Sequence, residues 1–207
     1  AGNHGLNSQM KPTVEQPVTI DAADIDNNGS IDAIISYYIQ GKSYPVPTRD
    51  ELIDQVPSIK IKFPSYKAYC DATIKDIFTP EQFKNALHLE AEEFRSGIFI
   101  NDNGTFHFEP FTNEAQAFPV RDFLIDDFNH DGLKDLLLTG NDYAVRAQSG
   151  RYDAGKGLLL SQTKSHTFSP VTGSGFLSDK DARKIIRIDN YIIVANNNDK
   201  IQIFRIN

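Results

Sequence analysis

One cysteine in 207 residues, Cys70, excludes an internal disulfide framework. It falls in an apolar pattern, so it is expected to be a small buried hydrophobe. No apolar run approaches the length of a membrane span. No secretory-signal pattern opens the chain, from which a mature or excised piece is expected. Basic residues are too few and too scattered to form a stripe: 21 Lys and Arg stand against 28 Asp and Glu, for a formal charge of −7. Phosphate backbones are neutralised by such stripes, so a nucleic-acid partner is excluded. The five histidines, His4, His88, His107, His130 and His166, form no His-x-x-x-His pair, and no nucleophile elbow is present. Gly41-Lys42-Ser43 imitates the end of a phosphate loop, but Ser36 stands where its leading glycine belongs. Pro45 also obstructs the helix that should follow, so the triplet reads as a turn. The remaining composition, 40% hydrophobic and 24% charged, suits one globular domain or two small ones.

What the chain does have is one pattern written twice. Asp24-Ile25-Asp26-Asn27-Asn28-Gly29-Ser30-Ile31-Asp32 is matched by Asp127-Phe128-Asn129-His130-Asp131-Gly132-Leu133-Lys134-Asp135. Both place oxygen side chains at positions 1, 3, 5 and 9 and glycine at 6. Ca²⁺ takes six to eight oxygens at about 2.3–2.6 Å, and alternate side chains of a tightly curled loop can all point inward to supply them. Asp24, Asp26, Asn28 and Asp32, with the carbonyl of Ser30, are therefore expected to hold one Ca²⁺. Asp127, Asn129, Asp131 and Asp135, with the carbonyl of Leu133, are expected to hold a second. His130, at position 4, should point outward into solvent. Two such ions would bring the formal charge from −7 to −3, so most of the acidity belongs to metal sites. An EF-hand is excluded. Its position-12 Glu is replaced by Ile35 and Leu138, and both loops run straight into short apolar, β-branched or aromatic segments that read as strands.

The repetition extends past the loops. Gly97–Asn101, a turn at Asp102-Asn103-Gly104 and Thr105–Pro110 read as a hairpin, and Gly157–Ser161 with Thr167–Val171 has the same shape. Asp127 lies 29 residues after Ile98, and the same step from Leu158 reaches Arg187, where strand–turn–strand continues without metal ligands. The repeats fall near 20–110 and 120–172, with a degenerate third at 183–207. A period of about 60 residues signals stacked modules or propeller blades. The first repeat is longer by about 43 residues. Thr48-Arg49-Asp50-Glu51 is a capping box, and Thr79-Pro80-Glu81-Gln82 is a second helix start. Ile59, Phe63, Tyr66, Tyr69, Cys70, Thr73 and Ile77 recur between them at roughly helical spacing, as a core stripe. The spacing predicts a helical insertion over 48–87.

The Asp-x-Asp-x-Asn/Asp-Gly-x-x-Asp loop between strands resembles the FG-GAP/VCBS repeats of integrin-α-type β-propellers. More closely, the chain is similar to bacterial FG-GAP-like proteins associated with an ASPIC/UnbV domain. Gly5-Leu6-Asn7-Ser8, Tyr44-Pro45, Arg49–Leu52, Phe63–Tyr66, Ala115–Ala117, Gly140-Asn141, Gly150–Ala154 and Asn196-Asn197 carry that likeness alongside the two loops. The resemblance implies a mainly β fold of two or more propeller-like blades, here a single domain or a fragment of a larger ring spanning 1–207. It also implies Ca²⁺ in the blade loops, secretion or exposure at the periplasmic or outer cell surface, and a role in binding, and it implies no known reaction.

Two functions are therefore expected to compete. One is a non-catalytic calcium-stabilised module that binds a protein or glycan at the cell surface. The other is the non-catalytic part of a secreted polysaccharide-processing enzyme. Glu90, Glu92 and Glu93 read as a solvated strand face rather than as an acid/base pair. Asn103-Gly104-Thr105 and Asn28-Gly29-Ser30 are formal glycosylation sequons, better explained by a hairpin turn and a metal loop. The segment Gly150–Gly157 is polar and aromatic, and function gathers on loops held by rigid scaffolds. Asn141, Arg151, Tyr152 and Asp153 are expected to border a partner-binding surface, since Arg and Tyr are enriched in hot spots.

Overall fold

A computed structural model describes residues 1–163 and 167–206. The chain divides into two compact units, Gln9–Glu93, and Ala1–Ser8 together with the chain from Phe94 onward. The fold is mainly β, with separate antiparallel sheets, none of them closed among the described residues. His166, one of the scattered histidines, lies outside the described residues.

In the Gln9–Glu93 unit, β1 (Val18–Ala23), β2 (Asp32–Ile39), β3 (Lys42–Pro45) and β4 (Leu87–Ala91) form a sheet in the order β3-β2-β1-β4. The Gly41-Lys42-Ser43 triplet indeed lies at a turn. Gln40 and Gly41 both adopt positive φ, 49° and 78°, between Ile39 and its partner Lys42, as a tight hairpin of this twist requires.

The inserted segment is helical but broken into α1 (Arg49–Gln55), α2 (Ile59–Lys62), α3 (Tyr66–Tyr69) and α4 (Ile74–Ile77). The expected capping box at Thr48 and Glu51 is present. Proline explains the first two of the three breaks. Val56 precedes Pro57 and Phe63 precedes Pro64, and both leave helical geometry, at φ −129°, ψ 87° and φ −124°, ψ 82°. A proline disfavours the α region in the residue before it. Thr79 receives the side chain of Gln82 as a capping box would, yet the segment closes as turns and no helix follows. The broken axis also splits the stripe. Ile59, Phe63 and Ile77 are buried with Ile25, Ile34, Leu52 and Val56, whereas Tyr66 and Cys70 are exposed. Cys70 is thus not a core residue, because the short α3 turns it to the surface.

Strand β4, which follows the insertion, pairs with β1 and sets His88 opposite Asp21. His88 Nδ1 lies 2.6 Å from Asp21 Oδ1 and Nε2 lies 3.1 Å from Glu90 Oε1. Glu90 is therefore held by an imidazole rather than simply solvated. The Asp21 hydrogen bond, then that of Glu90, raises the His88 pKa above its ordinary 6.5. A histidine pKa raised on folding adds stability that is complete below the unfolded value and disappears as pH rises through the folded one. The His88 ring is expected to titrate above 6.5 by NMR, and Asp21→Asn to shift it back down. A midpoint at or below 6.5 in the wild type would contradict the pairing.

In the other unit, β5 (Gly97–Asp102) and β6 (Thr105–Pro110) form the expected hairpin around Asn103-Gly104, with φ 51° and 96°. Next, β7 (Val120–Asp126), β8 (Asp135–Gly140), β9 (Leu158–Gln162) and β10 (Phe168–Val171) form a four-stranded meander. Finally, β11 (Ala182–Ile188), β12 (Tyr191–Asn196) and β13 (Gln202–Arg205) form a three-stranded sheet turning at Asp189-Asn190. Strand β8 is buried along its whole length. Leu136 and Leu138 enter a core with Phe118, Val120 and Leu160, while Leu137 points the other way against Ile185, Ile192 and Val194. The first repeat, expected near 20–110, is cut at Glu93 and Phe94 by the boundary between units. β2 pairs with β3 and β1 with β4, so the β5–β6 hairpin forms a sheet of its own.

Candidate metal centres

Both nine-residue loops lie where the pattern put them, between β1 and β2 and between β7 and β8. Each is folded by its own acidic side chains, and the two use the same bonds 103 residues apart. Asp24 Oδ1 accepts from Asn28 N at 2.9 Å and Asp24 Oδ2 from Gly29 N at 2.9 Å; Asp127 accepts from Asp131 N and Gly132 N at 3.1 and 3.0 Å. Position 3 repeats the scheme, with Asp26 accepting from Asn28 N and Asn129 from Asp131 N. At position 5, Asn28 and Asp131 each accept from the N–H two residues on, at 2.8 Å. The ninth-position Asp32 and Asp135 reach back to the N–H of Ile25 and Phe128, at 3.0 and 3.1 Å. Position 4 is left-handed in both, with φ 60° at Asn27 and 61° at His130, and so is the glycine, with φ 90° and 87°. His130 is exposed, as expected.

These bonds curl both backbones, but only in the first loop do three carboxylates converge; in the second, Asn129 Nδ2 donates to Asp131 Oδ2. Carboxylate oxygens of Asp24, Asp26 and Asp32 all lie within 4.8 Å of one another, which among the described residues makes them the one such cluster. Two ligands on opposite sides of a Ca²⁺ stand about 4.6–5.2 Å apart, so the opening suits an ion of that size. Asp32 is buried at the foot of the loop. Burial raises its pKa, and the neighbouring Asp26 and Asp24 charges add to the rise against the Ile25 N–H. A cation bound among the three carboxylates would offset that cost.

The second loop carries the same ligand types but is tied further into its sheet. Asp135 is fully buried, and its Oδ1 accepts from Ser161 Oγ and Gln162 N, both at 3.0 Å. Ser161 also accepts from Asn129 Nδ2, and Gln162 Oε1 accepts from Lys134 N. Ser161 and Gln162 support this loop without any sign in the nine-residue pattern. Only the pairing of β8 with β9 brings them there. In the first loop, Gln55 from α1 holds the N–H of Ala33.

The four residues expected to border a partner surface separate. Asn141 is fully buried; its Nδ2 donates to the carbonyls of Gly155 and Lys180, and its Oδ1 accepts from Gly155 N. It is a clamp between loops and not a surface residue, because its left-handed backbone, φ 86°, turns the side chain inward. Tyr152 is half-buried and bridges Asp142 through both backbone bonds, with its ring 4.6 Å from that of His4. Arg151 and Asp153 are exposed, and the Arg151 guanidinium lies 4.9 Å over the Tyr143 ring. Comparison with protein-family models, with curated proteins and with solved structures gives no match.

Proposed function

We propose that this chain is a calcium-dependent, non-catalytic binding module of the FG-GAP/VCBS type. It would act outside the cell or at its outer surface, with a protein or glycan as its partner. The observation that carries the reading is the set of five hydrogen bonds that two loops of equal ligand pattern share, with the carboxylates of the first converging within 4.8 Å. An ordinary Asp-Gly turn needs none of this repetition. Each loop offers three carboxylates and one amide oxygen, a hard-oxygen set suited to Ca²⁺. Mg²⁺ should compete poorly, since it demands tight octahedral geometry and sheds water reluctantly.

The chain's own residues divide the work. Asp24, Asp26, Asn28 and Asp32 would hold one ion with the Ser30 carbonyl, and Asp127, Asn129, Asp131 and Asp135 the other with the Leu133 carbonyl. The ions offset carboxylate repulsion and fix the strand connections. A partner would then be met by exposed groups such as Arg151 and Asp153, since saturated ions have few coordination positions left. Isothermal titration calorimetry is expected to show two Ca²⁺ per chain, one lost in Asp24→Ala and the other in Asp131→Ala. Absence of Ca²⁺ uptake by the wild type would overturn the reading.

A further inference from the structure

The β7–β10 sheet has one face that is covered only in part. On that face the register sets Phe123 and Ile125 of β7 against Leu138 and Leu136 of β8. Leu138 and Leu136 are 0% and 8% exposed, whereas Phe123 and Ile125 are 39% and 54% exposed. The incomplete cover leaves a cavity of about 440 Å³, walled by these four side chains together with Ile98, Phe111 and Phe168. Small-ligand sites span about 300–1,000 Å³ and are mostly apolar, with a few polar groups that fix orientation. Here the polar side chains gather at one edge. Lys134 directly precedes β8 and Gln162 ends β9; both line the cavity, and Gln162 Oε1 accepts from Lys134 N at 3.1 Å.

We propose that this cavity binds a small amphipathic anion, a free single-chain carboxylate whose apolar body fills the cavity while its head meets Lys134. The lining decides the sign of the charge. No Asp or Glu lines the cavity, and Lys134 is its one charged side chain. Strand alternation places Lys134 on the face of Leu136 and Leu138. Its ion-pair partner, Asp126, is 3.9 Å away and belongs to the opposite face, as the cross-strand partner of Asp135. Asp126 is itself held by Arg187, so Lys134 is not needed to balance it. The acids of the neighbouring loop are engaged elsewhere. Asp127 accepts from Asp131 N and Gly132 N, and Asp131 from Leu133 N and Asn129 Nδ2. Asp135 accepts from Phe128 N, Ser161 Oγ and Gln162 N. An apolar body gains by covering Phe123 and Ile125, which water otherwise wets. A cationic head would meet Lys134 as a like charge, and a neutral one would leave its ammonium unused. The inference stands apart from the calcium reading, because no lining side chain is one of the expected metal ligands.

The test follows the methyl NMR signals of the full chain in calcium buffer as octanoate, octanol or octylammonium is added. Octanoate is expected to shift the signals of Ile125, Leu136 and Leu138 saturably. It should bind roughly two- to fivefold more tightly than octanol, the range that a partly exposed ion pair supplies. Octylammonium should bind more weakly than octanol. Lys134→Met keeps the apolar stem and removes the charge, so octanoate should fall to the octanol affinity while octanol itself is unchanged. Phe123→Asp places a carboxylate in the wall and should abolish octanoate binding. Signals unmoved by all three probes would overturn the site. Octanoate no tighter than octanol, or an octanoate affinity untouched by Lys134→Met, would overturn the assignment of an anion. The same signals shifting with protein concentration alone would mean that a second copy fills the cavity, which also overturns the proposal. Should a variant not fold, the ranking of the three probes on the wild type decides alone.

Discussion

Asp135→Ala is expected to destabilise its unit by about 3–6 kcal/mol in denaturant unfolding. Truncation leaves the N–H groups of Phe128 and Gln162 and the hydroxyl of Ser161 without their acceptor. These bonds are only partly buried, so each group costs toward the lower part of the range of about 1–3 kcal/mol, because water can replace some of what is lost. The loss falls at the start of β8, whose six residues are all buried between two apolar clusters. Against a typical stability of about 5–15 kcal/mol, that is a large share. Asp135→Asn should cost less, because the amide keeps one acceptor oxygen. An alanine variant within about 0.5 kcal/mol of the wild type would mean that the carboxylate does not organise the loop as described.

Calcium removal is the second large effect. A ligand that binds only the folded state adds RT ln(1 + [L]/Kd), about 2.7 kcal/mol per site at a hundredfold excess over Kd. For a unit of this size, each kcal/mol shifts the melting temperature by about 4–8 °C, so chelation is expected to lower it by about 10–20 °C. The two loops belong to different compact units, so each unit should respond to its own ion. Asp24→Ala should blunt the EDTA response of the Gln9–Glu93 unit and Asp131→Ala that of the other. Differential scanning calorimetry with and without EDTA reads both. A melting profile indifferent to chelation would reduce the loops to ordinary turns.

Much of this was written locally. The loop pattern fixes its own curl because each donor and acceptor lies within eight residues, from Asp24 to Asp32 and from Asp127 to Asp135. Asn103-Gly104 likewise settles its hairpin, since these two residues tolerate the positive φ that the turn demands. Short apolar runs announced β2 and β8, and Thr48 with Glu51 announced α1.

Tertiary structure decided what depends on distant partners. Helical spacing from Ile59 to Ile77 could not show how far each helix runs, because Pro57 and Pro64 break the axis and Cys70 leaves the core. Strand order was equally hidden: β4 joins β1 across 67 residues from Asp21 to His88 and separates the β5–β6 hairpin from the repeat that seemed to contain it. Asn141 looked like a surface residue until Gly155 and Lys180 closed around it. Ser161 and Gln162 carry no metal-loop signature, yet they hold Asp135. Sequence alone determines a turn whose bonds are short-range. Which strand becomes a neighbour, and which polar side chain is buried with its partners, follows only from how the sheets pack.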